Sequence, residues 1–93
     1  MAHYQVVCRM NCERTAGHPE LLRRMATYLG FQWHPEYMVH EIPRHYGQAF
    51  FRATVCIKED DGPRIVHKCE AFASTVDMAV HWAAYLCVTV LHL

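Results

Sequence analysis

The reactive side chains of this sequence are mostly thiols and imidazoles: five cysteines, at positions 8, 12, 56, 69 and 87, and eight histidines. Cys8 and Cys12 stand in Cys-x-x-x-Cys spacing with His3 and His18 near by, a donor set of the kind zinc takes. The second pair of ligands that closes a structural zinc site is missing from the pattern, so neither a metal nor a cofactor is expected. His67 and Cys69 lie two residues apart, on one face of a strand, which is the start of a base–nucleophile arrangement. Nothing in the sequence supplies the third, orienting group. A phosphate loop, a paired-carboxylate signature and a nucleophile elbow are also absent, so the chain is not expected to be an enzyme. The other histidines, among them His34, His40, His81 and His92, are scattered and read as surface or strand residues.

The cysteines are odd in number and widely spread, and Met1–Met10 alternates polar and apolar residues without a continuous apolar run. Free thiols in a reducing compartment are therefore expected, placing the chain inside the cell, in cytoplasm or nucleus. Cys56, Cys69 and Cys87 sit in apolar patterns and read as small buried hydrophobes.

Length and composition set the frame. Ninety-three residues make one domain, and a hydrophobic fraction of 53% is enough for a core without staples. Nine Lys plus Arg balance nine Asp plus Glu. A protein that holds phosphate backbones draws its affinity from counterion release and normally carries a basic excess, so neutrality disfavours strong nucleic-acid binding. The apolar stretch from Ser74 to Leu93 is interrupted by Asp77, His81 and His92 and has no basic flank, so it is not expected to span a membrane.

The elements follow from periodicity and punctuation. Tyr4–Arg9 reads as a short strand, followed by a polar stretch over Asn11–Gly17. Pro19 suits a first helical turn, Glu20 complements the helix dipole, and Leu22, Met25, Ala26 and Leu29 make an apolar stripe that Gly30 ends. Strands are expected over Glu36–Ile42, Phe50–Ile57 and Arg64–Phe72. In the second, Phe51, Ala53, Val55 and Ile57 alternate with Arg52, Thr54 and Cys56; the polar Lys58–Pro63 turn makes a hairpin with the third. A last helix starts after Ser74 or Thr75, where Ser74 and Asp77 have capping-box spacing, and runs to the end of the chain. The fold class is α+β: helix, three antiparallel strands, helix, with both helices on one face of the sheet and an extra strand in front. Leu22, Met25, Leu29, Val55, Ala79, Ala83 and Leu86 are expected in the core.

This order, and the residues that mark it, resemble the double-stranded-RNA-binding domain. Pro19 with Leu21-Leu22 stands where that family opens its first helix, and Pro35-Glu36-Tyr37 where it enters its first strand. Ile42-Pro43-Arg44-His45 before Phe50-Phe51 resembles its Gly-Pro-x-His loop and Phe-led strand, with Ile42 in place of the glycine. Thr75–Ala84 falls into register with its last helix. The resemblance covers about residues 19–93, leaving 1–17 as an N-terminal extension. It implies RNA binding through lysines at the start of that helix, but those positions hold Val76, Asp77 and Val80, and the glutamate of the first helix corresponds to Arg24. What is left to contact RNA is Arg23, Arg24, Arg44 and His45, so RNA binding is expected to be weak or absent.

The last helix is apolar nearly all round. Ala79, Ala83, Leu86, Val90 and Leu93 make one stripe that suits the sheet-facing core and Val76, Val80, Ala84, Cys87 and Leu91 a second, with Trp82, Tyr85 and Val88 apart from both. A surface helix of a two-layer domain buries one face, so the second stripe calls for another covering. The expectation is a protein-interaction or self-association module whose surface includes Val80, Trp82, Cys87 and Leu91 on the helix and Val66, Lys68 and Glu70 on the neighbouring edge strand. The partner is another protein or a second copy, as a homodimer; weak binding of structured RNA is the alternative.

Overall fold

A computed structural model describes residues 5–11, 17–43, 50–59 and 64–92, with no side-chain detail for 5–11 and 92. The elements are β1 (Gln5–Asn11), α1 (Gly17–Tyr28), β2 (Glu36–Glu41), β3 (Phe51–Lys58), β4 (Ile65–Ala73) and α2 (Val76–His92). The strands pair antiparallel in the order β1-β2-β3-β4. The class is therefore α+β, and the helix–three strands–helix order is as expected. The strand in front, expected over Tyr4–Arg9, runs Gln5–Asn11 and extends the sheet to four strands.

Pleating sorts the side chains. On β2 and β3, Tyr37, Val39, Ala53, Val55 and Ile57 are fully buried on one face. Arg52, Cys56 and Lys58 are half-buried on the other, and the register puts Glu36 opposite Cys56 and His40 opposite Arg52 there. The alternation expected for β3 holds from Val55 to Lys58, whereas Thr54 on the open face is also buried and Phe51 is only half-buried. Two backbone hydrogen bonds extend the hairpins beyond their strands: the Ile42 N–H donates to the Phe50 carbonyl at 2.8 Å, and the Glu59 N–H to the Arg64 carbonyl at 2.9 Å.

α1 buries Pro19, Leu22 and Ala26 and stops as Gly30 dictates. Gly30 has φ +90°; its N–H donates to the Thr27 carbonyl at 3.1 Å and the Phe31 N–H to the Ala26 carbonyl at 3.0 Å. This is a Schellman ending, with Phe31 packed against the core as its apolar contact. Leu29 is 49% exposed, against expectation. It follows the last helical residue, where the chain leaves the helix and the stripe's spacing no longer applies. Met25 is only half-buried.

α2 is capped by Thr75, not Ser74: the Thr75 hydroxyl accepts the Met78 N–H at 3.1 Å, the usual bond from N-cap to third residue. The helix lies across β3 and β4 while α1 packs on α2, and Leu22 joins the sheet residues in one core, so both helices occupy one face. Gly17 has φ +78° and lies against the His81 ring of α2, which a Cβ at that position would displace.

The double cover settles which side of α2 is inside. Ala79, Val80, Ala83, Ala84 and Cys87 are all fully buried. The arc is wide because the sheet covers one flank and α1 the next, so the second stripe is buried by the chain itself. Val80 and Cys87, expected at an interface, are therefore core residues. Leu86, expected inside, is 41% exposed, since the centre of the buried arc lies nearer Val80 and Cys87.

Candidate interaction surface

The exposed side of α2 is the arc opposite Val80, Ala84 and Cys87. Met78, Trp82, Tyr85, Leu86 and Val90 lie along it at helical spacing, and all five are exposed. Trp82 stands edge-on to Tyr85, with ring centroids 5.7 Å apart, and Tyr85 meets the His18 ring of α1 edge-on at 5.1 Å. Such contacts hold aromatic rings in fixed orientations at the surface. Thr89, on the same arc, turns its hydroxyl inward to donate to the Tyr85 carbonyl at 2.9 Å. The stripe therefore runs from Met78 to Val90 without a charged side chain.

Among the described residues β4 forms one edge of the sheet, pairing with β3 alone. Its small residues, Ala71 and Ala73, face α2, and its large ones face away: Val66, Lys68, Glu70 and Phe72 are all exposed. The Lys68 Nζ lies 4.0 Å from Glu70 Oε1, a loose and solvated pair of little energetic weight. Phe72 stacks on Phe50 with centroids 5.9 Å apart. Of the expected interaction residues, Val66, Lys68, Glu70 and Trp82 are exposed, Leu91 is half-buried against the core, and Val80 and Cys87 are inside. Sequence reasoning set Tyr85 off both stripes but missed Met78, Leu86, Val90, Ile65 and Phe72 as surface residues. The signal for Met78 and Leu86 was the arc opposite the second stripe.

The residues left for RNA are differently placed. Arg23 Nη2 donates to Glu20 Oε1 at 3.0 Å and Arg24 Nε donates to the same oxygen at 2.8 Å, so one carboxylate holds both guanidiniums. Partial burial raises the Glu20 carboxyl's pKa, but the hydrogen bonds and charges of Arg23 and Arg24 outweigh it and leave it below its ordinary value. Arg44 and His45 lie outside the described residues. Position 80, which the resemblance aligns with a phosphate-gripping lysine, points into the core.

Two further groups bear on chemistry. The open face of the sheet has a shallow groove of about 260 Å³ lined by Glu36, Met38, Thr54, Cys56 and Lys58, with Lys58 Nζ 3.1 Å from Glu36 Oε2. Burial raises the pKa of the Cys56 thiol, away from thiolate reactivity. Burial, with the Cys69 thiol beside it, pushes Cys87 up from 9.0 to about 12. A folded-state value raised this way favours the native state below pH 9 and loses that contribution as pH rises toward 12. Cys87 should therefore resist a maleimide at pH 8 until denaturant unfolds the chain, and half-buried Cys56 should label before it; mass spectrometry of timed quenches reads the order of the two. Among the described residues no cluster of three or more His, Cys, Asp or Glu could hold a metal, and no helix is long and apolar enough to cross a membrane. Of the sequence's zinc-like set, His3 and Cys12 lie outside the described residues.

Comparison with protein-family models, with curated proteins and with solved structures returns no match.

Proposed function

We propose that this chain is a non-catalytic protein-association module of the cell interior, built on an architecture that resembles a double-stranded-RNA-binding domain without its phosphate grip. One observation carries the reading: the charge-free, half-exposed stripe from Met78 to Val90 on α2, anchored by Trp82 and Tyr85. Large aromatic side chains held at the surface and flanked by aliphatic ones are the typical anchors of protein interfaces. The double-stranded-RNA reading has less support. Its two described cations, Arg23 and Arg24, share a carboxylate, the helix positions that would grip phosphate are Val76, Asp77 and Val80, and the chain has no net charge.

Light scattering across a concentration series, with a generic RNA duplex titrated at low and physiological salt, tests this directly. The expected result is a mass that rises above the 10.9 kDa of the single chain, with no tight duplex binding at physiological salt. A clean monomer at high concentration that binds the duplex below micromolar, with a steep salt dependence, would reverse the assignment.

A further inference from the structure

We infer that the occupant of this surface is a second copy of the chain, joined by antiparallel pairing of β4 with β4 across a two-fold axis at Cys69. The inference rests on the association reading above and specifies its partner and register. β4 is nine residues long and its outer edge is unpaired among the described residues, and an open edge offers backbone donors and acceptors to another strand. Its outward residues read Val66, Lys68, Glu70, Phe72. Centred on Cys69, an antiparallel partner sets Lys68 opposite Glu70 of the other copy, Glu70 opposite its Lys68, and Val66 opposite its Phe72. Every outward pair is then apolar on apolar or opposite in charge, the combinations that stabilise directly opposed residues. A parallel, in-register pairing would set like charge against like. The break in the β3–β4 register lies at Val66, where Ile57 faces His67 but Lys58 faces Ile65, so the regular ladder available to a partner runs from His67 to Ala73. The charged pairs fall within it, and the Val66–Phe72 pair lies just beyond its end.

The helices fit the same axis. Neighbouring strands stand about 4.8 Å apart, so a helix seated over β3 and β4 lies roughly 5 Å from the seam, and its symmetry mate brings two α2 axes to about 10 Å, a normal helix-packing distance. The flank of α2 turned away from α1 carries Leu86 and Val90, which meet their counterparts there. The exposed part of the α2 stripe is on the order of 500 Å² per copy, short of the roughly 800 Å² that a stable interface buries on each side. The strand edge supplies the remainder.

The test is a charge-exchange cycle on the full chain, read by sedimentation velocity, with circular dichroism to verify each fold. Lys68→Glu makes both cross-strand pairs acidic and Glu70→Lys makes both basic; each alone should weaken self-association about ten-fold, on the scale of opposed strand pairs. The double variant Lys68→Glu with Glu70→Lys should restore it, and an equimolar mixture of the two single variants should associate as a heterodimer. Single variants that associate like the wild type, or a double variant that fails to recover, overturn the strand register. Should Leu86→Lys still abolish association in that case, the association reading stands and only the register falls. A wild-type mass fixed at 10.9 kDa at every concentration removes the second copy as occupant.

Discussion

Val80→Lys should leave the chain unfolded at 25 °C. Val80 is 0% exposed, in the same cluster as Leu22, Val55, Ala83 and Cys87, and no carboxylate belongs to that cluster. A lysine there must either bury an unpaired ammonium or give up its proton, and either alternative costs several kcal/mol. The longer side chain also has to enter a core already packed around valine and alanine, which adds about 1–3 kcal/mol. A domain of this size has a total stability of only about 5–14 kcal/mol. Far-UV circular dichroism and a urea titration read the outcome directly. A cooperative transition within about 1 kcal/mol of wild type would mean that position 80 faces solvent. The resemblance would then regain the last of its helix positions, and the charge would be free to meet phosphate. The expected unfolding says the reverse: this chain cannot recover an RNA grip at that position by a single substitution.

What could be read from the sequence, and what could not, follows from how the layers pack. β3 was readable because its two faces differ in kind, with Ala53, Val55 and Ile57 against Arg52, Thr54 and Cys56. The end of α1 was readable because Gly30 takes a φ of +90° that other residues avoid. The inner side of α2 was not, because hydrophobicity hardly varies around it. What separates its sides is size. The buried residues of α2 include Ala79, Ala83 and Ala84, in one cluster with Ala53, Ala71 and Ala73 of β3 and β4, so small side chains line much of that contact. Phe72 is accordingly on the far face of β4 while its alanine neighbours are buried, and Trp82 and Leu86 are outside while Ala83 and Ala84 are inside. The rule that the larger apolar residue goes inward fails wherever two elements approach through alanine. Of the exposed residues, Trp82, Val66, Lys68 and Glu70 were legible in the sequence while Ile65 and Phe72 were not, and Val80 and Cys87 were misplaced because the chain's own sheet and α1 together cover their side of α2.

Trp82→Glu should abolish association while leaving the monomer folded. Trp82 is 50% exposed and belongs to none of the buried positions, so its replacement opens no cavity in the core. Its edge contact with Tyr85 is a surface contact, and losing it should shift the melting temperature by no more than a few degrees. At an interface the same change removes the largest apolar anchor and places a carboxylate in the middle of a stripe with no charge to pair it. Anchors of this type commonly account for 2 kcal/mol or more, and the unpaired charge adds to that, so the dissociation constant should rise by about 100-fold or more. Trp82→Phe keeps an apolar ring and should recover most of the association, separating the demand for apolar surface from a general effect of substitution. The measurement is sedimentation velocity of both variants beside wild type, with thermal melts in parallel. Association that survives Trp82→Glu undiminished would place the interface elsewhere on the molecule and leave the α2 stripe without a role. Loss of association together with loss of the folded monomer would instead make Trp82 a structural residue, contrary to its half-exposed position outside the buried cluster.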